Sequence, residues 1–206
     1  MTTVTVGEPQ VHGEDPERVG RRWRTGVLLL IVADAAFVGA LLFSYFYLRG
    51  LNTEKAWLAH GQATASIGLS WLLAGGVVLS AVAFRWAQRR IEAGDRGSFV
   101  LGTMVAVLVL VATTVGQVLQ LTRFPFGVAD SAYSSAMYTL AAANLVHLLL
   151  TLFLGVAMWN RGRQGLYDGE SPWQVRLVGA WWTWVALAAV LAAFTTSFVT
   201  SPNIGG

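Results

Sequence analysis

The stretch from Val27 to Gly50, VLLLIVADAAFVGALLFSYFYLRG, decides the fold because it is an apolar run long enough to cross a lipid bilayer. An α-helix rises about 1.5 Å per residue, so about 20 apolar residues cross the roughly 30 Å of hydrocarbon. One carboxylic acid, Asp34, interrupts the run close to its middle. The stretch therefore predicts a transmembrane helix that carries a buried ionisable group.

The composition of the whole chain agrees with this interpretation. Of the 206 residues, 55% are hydrophobic and 12% are charged, which is typical of an integral membrane protein. The chain has no cysteine, so disulfides, thiolate metal sites and cysteine nucleophiles are excluded. The formal net charge is +3, but the basic residues cluster at the ends of apolar runs, where the bilayer explains them. We therefore expect no nucleic-acid partner.

Four further apolar runs follow the first, and none shows the alternation of inward and outward residues that a membrane β-barrel needs. Backbone groups cannot stay unpaired in lipid, so each run is predicted to be helical. The sequence thus predicts an all-α integral membrane bundle of five transmembrane helices within residues 25–200. The predicted spans are about 25–48, 65–87, 99–121, 132–159 and 175–200, between a polar tail at 1–24 and a short outer tail at 201–206.

The distribution of arginine and lysine predicts the orientation of the bundle. Eleven basic residues fall in the N-terminal tail and in the loops after spans two and four. Only Arg49, Lys55 and Arg123 fall on the other side. Loops rich in arginine and lysine stay in the cytoplasm, so we expect a cytoplasmic N-terminus and an outer C-terminus.

Five polar residues within the spans are the candidate site. Asp34 and His147 are the ionisable groups predicted to lie deep in the hydrocarbon, where such groups are functional or paired. Asn144 lies one helical turn from His147, and Gln117 and Gln120 share a face near the outer end of span three. We expect Asp34 and His147 to face the bundle interior and approach one another. Three roles stay open for Asp34: a helix-bridging hydrogen bond, a proton-linked carboxyl, or a polar site on a lipid-filled cleft.

No catalytic or metal centre is predicted in this chain. One buried histidine cannot provide a haem, copper, di-iron or zinc site, because each of these needs several converging ligands. The sequence contains no glycine-rich phosphate loop and no Ser-His-Asp pattern either. We therefore expect no cofactor held by the chain itself.

Small residues recur at four-residue spacing in span two, where Ser70 precedes Ala74 and Gly76 precedes Ser80. Small side chains let helix backbones approach closely in a membrane. The pattern predicts either packing inside the bundle or docking onto a partner subunit.

A series of short motifs gives the chain a family resemblance. In order, these are VADAAF at 32–37, the EAGDR loop with Gly94, Asp95 and Arg96, Gln117, FPFGVADSAY at 124–133, NLVH at 144–147 and AWW at 180–182. Their order and spacing resemble subunit III of the haem-copper oxidases, the cytochrome c oxidase family, from about Val27 to Thr200. The resemblance is to the shorter bacterial form, which has five helices.

Several positions depart from the family pattern. The buried glutamate of the family is Asp34 here, one methylene shorter, and the acid expected three residues after Gln117 is Gln120. Asn144 replaces the first histidine of a pair, while Trp184 and Leu187 stand where the family has histidine and aspartate. These departures mark a divergent member.

The resemblance implies an accessory, non-catalytic role in a bacterial plasma membrane. Subunits I and II would be the partners and would hold the haem and copper, while small accessory subunits or a larger respiratory assembly could join them. This chain would bind phospholipid and support proton uptake by subunit I. Alternatives are a subunit III-like component of a nitric oxide reductase system, a stand-alone solute or proton transporter that uses Asp34 and His147, and a purely structural scaffold.

Overall fold

Five long helices make up the part of the molecule that the structure describes. The computed structural model describes residues 16–52, 57–167 and 172–200, with side chains described from Gly20 onward. Within these ranges the helices are α1 (Pro16–Leu51), α2 (Ile67–Glu92), α3 (Arg96–Thr122), α4 (Ala132–Arg163) and α5 (Trp173–Thr196). Each is long and apolar enough to cross a membrane. The predicted all-α bundle of five membrane-spanning helices is therefore confirmed.

Most helix ends differ from the expected spans by a few residues, and the start of α1 differs most. Helix α1 begins at Pro16, inside the segment predicted as a polar tail, because a proline suits the first turn of a helix and the following arginines are good helix formers. A prediction from hydropathy detects only the apolar part of such a helix, so it placed the start of α1 too late. Helix α5 ends at Thr196 rather than near 200. The segment after it is held by other elements, since Trp57 Nε1 donates to Val199 O at 2.7 Å.

Side-chain caps fix the starts of three helices. An oxygen of the N-cap side chain accepts a hydrogen bond from a backbone N–H in the first turn of α2, α3 and α4; these caps are Ser66, Asp95 and Ser131. Arginines occupy the last turns of α2 and α4. We call this side of the bundle the arginine-rich end, and we call the side with the connections 52–66 and 123–131 the arginine-poor end.

The main core lies between α2, α3, α4 and α5. Trp182 of α5 is fully buried and stacks on Phe84 of α2, with ring centroids 4.4 Å apart. Ser80 Oγ donates to Ala106 O at 2.7 Å and accepts from Trp182 Nε1 at 3.2 Å. The serine thus links α2 to α3 and α5. Polar groups that bridge helices in this way hold a membrane bundle together.

The small residues of α2 face its neighbours. Ala74 and Ser80 are buried, and a Cβ added to Gly76 would overlap the Thr113 hydroxyl of α3. These three residues fit the first of the two explanations predicted for the small residues of this helix, which is close packing inside the bundle.

Helix α1 lies at the edge of the bundle, where it packs on α4 and α5. Many of its large apolar side chains point away from these helices and are exposed, among them Leu28, Leu29, Val32 and Phe43. Such a surface suits a lipid environment. The position of α1 brings Asp34 to the seam where α1, α4 and α5 meet.

Candidate functional site

The two predicted intramembrane ionisable residues are in direct contact. His147 Nε2 lies 2.9 Å from Asp34 Oδ1 and 2.8 Å from Asp34 Oδ2, so the imidazole of α4 faces the carboxyl of α1 almost symmetrically. The side chains are 8% and 17% exposed, respectively. The expected approach of the two groups is therefore observed, and Asp34 is the more accessible of them.

The other ring nitrogen of His147 fixes the tautomer. His147 Nδ1 lies 2.8 Å from Ala143 O, one turn earlier in α4. A carbonyl oxygen can only accept a hydrogen bond, so Nδ1 carries a hydrogen. Nε2 is thus left to share a proton with the carboxyl of Asp34.

Trp184 of α5 is the third member of the cluster. Its indole Nε1 lies 2.6 Å from Asp34 Oδ2. An indole N–H can only donate, so Oδ2 is an acceptor in this bond. One carboxyl therefore joins three helices, and we call Asp34, His147 and Trp184 the α1–α4–α5 joint.

These contacts satisfy the polar groups of the joint. Each ring nitrogen of His147 has a partner, and Oδ2 of Asp34 is in contact with both His147 and Trp184. Polar groups that satisfy one another across helices hold a membrane bundle together. The geometry therefore fits a link between α1, α4 and α5.

A second pair of residues holds the imidazole in place. Thr151 Oγ1 donates to His147 O at 2.7 Å and accepts from Trp181 Nε1 at 3.0 Å. The Trp181 ring stacks on the His147 ring at a centroid distance of 6.0 Å. Since Trp181 and Trp184 both come from α5, this helix fixes the imidazole and the carboxyl together.

An apolar cleft opens beside the joint. It has a volume of about 260 Å³ and is lined by residues of α1 and α4 and by Trp181 of α5. Apart from Asp34 and His147 its walls are apolar, and they include Leu30, Phe37, Val146 and Leu150. A cleft of this kind accommodates hydrocarbon next to a polar group.

The three predicted amide residues form a separate cluster. Asn144 Nδ2 donates to Gln117 Oε1 at 2.7 Å, and Gln117 Nε2 donates to Gln120 Oε1 at 3.0 Å. Gln120 Nε2 then donates to Ser70 Oγ at 3.1 Å. The predicted polar residues thus fall into two groups, and Asn144 belongs with the glutamines rather than with His147.

The Gly94-Asp95-Arg96 loop has a structural role that its sequence does not reveal. Gly94 adopts a φ of +79° in the tight turn between α2 and α3, a conformation that favours glycine. Asp95 caps α3 through a bond from Ser98 N to Asp95 Oδ1 of 3.0 Å. This hydrogen bonding by Ser98 lowers the pKa of Asp95 below its usual value.

Arg96 reaches across to α4. Its Nε donates to Gly162 O at 2.9 Å, and its Nη2 donates to Arg163 O. These are among the last carbonyls of α4, which have no partner within the helix. The Gly165 backbone next to them has a φ of +74°, and a Cβ there would lie 2.7 Å from Arg96 Nη1. The loop therefore fastens the α2–α3 turn to the end of α4.

Trp184 is the site residue whose role the sequence did not show. The sequence marked it only as a departure from a histidine, and tryptophan in an apolar run is normally assigned to packing. Tryptophan and histidine both carry a ring N–H, so a hydrogen-bond donor is kept at position 184. This shared N–H was the available hint in the sequence that Trp184 donates a hydrogen bond.

The site does not fit a metal or haem. Among the residues that the structure describes, no group of three His, Cys, Asp or Glu side chains could hold a metal ion. Both ring nitrogens of His147 are already engaged, by Ala143 O and by Asp34. Ligation of haem iron or copper would break one of these contacts.

Comparison with known proteins identifies one family. Residues 3–190 match the model described as "Cytochrome c oxidase subunit III". Among curated proteins, the chain is similar to "Cytochrome c oxidase subunit 3" of Prototheca wickerhamii, with 26% identity over 186 residues, which cover 88% of this chain and 69% of the relative.

Further relatives carry the same description. The protein of Emericella nidulans is 24% identical over 168 residues, which are 79% of this chain and 62% of the relative. That of Strongylocentrotus purpuratus is 26% identical over 160 residues, which are 75% of this chain and 62% of the relative. The chain thus spans roughly two thirds of the length of these relatives.

Proposed function

Because the chain belongs to the cytochrome c oxidase subunit III family, we propose that it is an accessory, non-catalytic subunit of a haem-copper terminal oxidase. In this role it stabilises the complex and supports its turnover, while oxygen reduction takes place elsewhere. The partners are subunits I and II, which hold the haem and copper. Small accessory subunits or a larger respiratory assembly could bind in addition.

The α1–α4–α5 joint is the observation that carries this proposal. Its groups satisfy one another's hydrogen bonds and are arranged to hold three helices together. A group that ligates a metal needs a free nitrogen, and His147 has both nitrogens engaged. The arrangement therefore supports a scaffold next to a redox centre rather than the centre itself.

The apolar cleft supports a second part of the role, the binding of phospholipid. Its walls of Leu30, Phe37, Val146 and Leu150 match an acyl chain in polarity. A lipid held there would cover Asp34 and keep water from the joint. In the complex, this lipid would fill the space beside subunit I and help to sustain proton uptake by that subunit.

We further propose a multi-pass location in a bacterial plasma membrane, with the arginine-rich end in the cytoplasm. The support for this orientation is the excess of arginine near that end. The support for a bacterial source is the resemblance to the five-helix bacterial form.

Purification from the native membrane tests the proposal. A tagged copy of the chain is expected to co-purify with two larger subunits and with the visible spectrum of their haems, and the complex is expected to consume oxygen. Isolation of a colourless, stable monomer would contradict the proposal. A co-purified complex that reduces nitric oxide but not oxygen would assign the chain to the nitric oxide reductase alternative.

Reconstitution of the isolated chain separates this role from transport. Vesicles that contain only this protein are expected to show the proton leak of protein-free vesicles. Proton or solute flux that disappears in the Asp34→Asn variant would instead establish a stand-alone transporter.

A further inference from the structure

A second pocket lies near the arginine-poor end, where residues of α2, α3, α4 and α5 line it. Its volume is about 40 Å³. Unlike the apolar cleft beside Asp34, its wall includes polar side chains from all four helices: Ser70, Gln117, Gln120, Asn144 and Thr196. The pocket is therefore a polar site within a bundle whose other surfaces are mostly apolar.

The hydrogen bonds along this wall run in one direction. Asn144 donates to Gln117, Gln117 donates to Gln120, and Gln120 donates to Ser70. Gln117 is 3% exposed and Gln120 is 8% exposed, so both amides are removed from bulk solvent. The wall is thus a built, buried network and not a set of surface side chains.

These bonds use only part of the hydrogen-bonding capacity of the wall. A side-chain amide has two N–H donors, and each of the three amides donates one of them to its neighbour. In the described part of the chain, no second protein acceptor pairs with the remaining N–H of Gln117, Gln120 or Asn144. Buried amides of this kind are normally satisfied by protein groups or by ordered water.

We propose that this pocket is a hydration site that binds about three water molecules. A volume of about 40 Å³ accommodates that number, since one water needs roughly 10–15 Å³ of cavity. No charged residue contributes to the wall, which argues against an ion. The small volume excludes an organic ligand.

The position of the pocket gives this water a route to the surface. Ser70 lies in the first turn of α2, and Thr196 is the last residue of α5. The pocket therefore opens within about one helical turn, roughly 5 Å, of the arginine-poor end. At its inner side, Asn144 precedes His147 by three residues in α4. The site brings exchangeable water to within one turn of the α1–α4–α5 joint.

Two methionines of α4 provide a direct test. Met137 lines the pocket and is 3% exposed, whereas Met158 is 7% exposed, lies near the arginine-rich end and does not line the pocket. X-ray radiolysis turns bound water into hydroxyl radicals, which oxidise an adjacent methionine to the sulfoxide. In the intact protein in lipid nanodiscs, Met137 is expected to be oxidised at least about threefold faster than Met158. Equal rates for the two methionines would overturn the proposal.

Filling the pocket provides the matched control. Ala141 lines the pocket, so Ala141→Leu should displace the water and reduce the oxidation rate of Met137 to that of Met158. Ala142 is exposed on the same helix, and Ala142→Leu should leave the rate unchanged. If Ala141→Leu does not fold, Asn144→Leu removes a polar group from the wall and is expected to lower the rate in the same way. An undiminished rate in the folded filling variant would refute the site.

Discussion

Trp184 of α5 donates its indole N–H to Asp34 Oδ2 of α1 across 2.6 Å, while His147 of α4 contacts the same carboxyl. Helix α1 has few other buried side chains, since most of its large apolar residues are exposed. The carboxyl is therefore one of a few polar contacts that attach α1 to the rest of the bundle, together with the bond from Tyr45 OH to Phe198 O at 3.2 Å. The carboxyl has two possible roles in this position, a hydrogen-bonding link and a proton carrier.

Replacing Asp34 by asparagine distinguishes these roles. An asparagine at this position can donate from its amide to His147 Nε2 and accept from Trp184 Nε1, so the joint keeps its bonds without a titratable carboxyl. We expect Asp34→Asn to change the free energy of unfolding in detergent by less than about 1 kcal/mol. The oxygen consumption of the assembled complex should also be retained. A variant that is equally stable but loses oxygen consumption would show that the carboxyl carries protons.

Replacing Asp34 by leucine should instead be costly. Leucine leaves the Trp184 N–H without an acceptor and His147 Nε2 without a partner, both in a partly buried position. We expect a loss of about 2 kcal/mol in the free energy of unfolding. Ala33→Leu is the matched control, because Ala33 is exposed on the adjacent position of α1 and should tolerate the larger side chain. A similar loss in both variants would mean that the joint contributes little.

The length of the acid should be coupled to the residue at position 184. Glutamate adds a methylene, and the carboxyl of Asp34 already lies 2.6 Å from the indole nitrogen. We expect Asp34→Glu to destabilise the bundle by about 1–2 kcal/mol through overpacking. Trp184→His provides a smaller ring N–H donor, and the family pattern that the sequence resembles pairs a histidine at this position with a glutamate at position 34. The free energy of unfolding of the double variant is therefore expected to exceed the value predicted by adding the two single effects by at least about 1 kcal/mol. Additive effects in a double-mutant cycle would contradict this coupling.

The sequence predicted the helices and the contact between Asp34 and His147 for the same physical reason. Long apolar runs must form helices in lipid, and isolated ionisable groups in those runs must find partners. The sequence could not predict the role of Trp184, because an indole is counted as apolar. Its N–H reaches Asp34 only because α5 packs beside α1 in the folded bundle. The same limit applies to Arg96, whose partners are backbone carbonyls of α4 and have no side-chain signature.

Arg96 should stabilise the arginine-rich end through the carbonyls of Gly162 and Arg163. We expect Arg96→Ala to lower the free energy of unfolding by about 1 kcal/mol, the net value of a charged hydrogen bond reduced for its partial exposure. Hydrogen exchange at the end of α4 should accelerate along with this loss. Arg89→Ala is the control, since the Arg89 side chain is exposed in the last turn of α2. Unchanged exchange in α4 would show that the guanidinium does not cap this helix.

Two adjacent glycines of α2 test how closely the bundle is packed. A Cβ at Gly76 would overlap the Thr113 hydroxyl, which donates to Val109 O at 2.9 Å and cannot move without breaking that bond. A Cβ at Gly75 meets nothing within 4 Å. We expect Gly76→Ala to destabilise the protein by about 1–3 kcal/mol, because α2 and α3 must separate. Gly75→Ala should be neutral or stabilising by up to about 1 kcal/mol, since alanine is the better helix former. Thermal unfolding followed by tryptophan fluorescence would compare the two variants, and equal midpoints would show that α2 and α3 are not in close contact at Gly76.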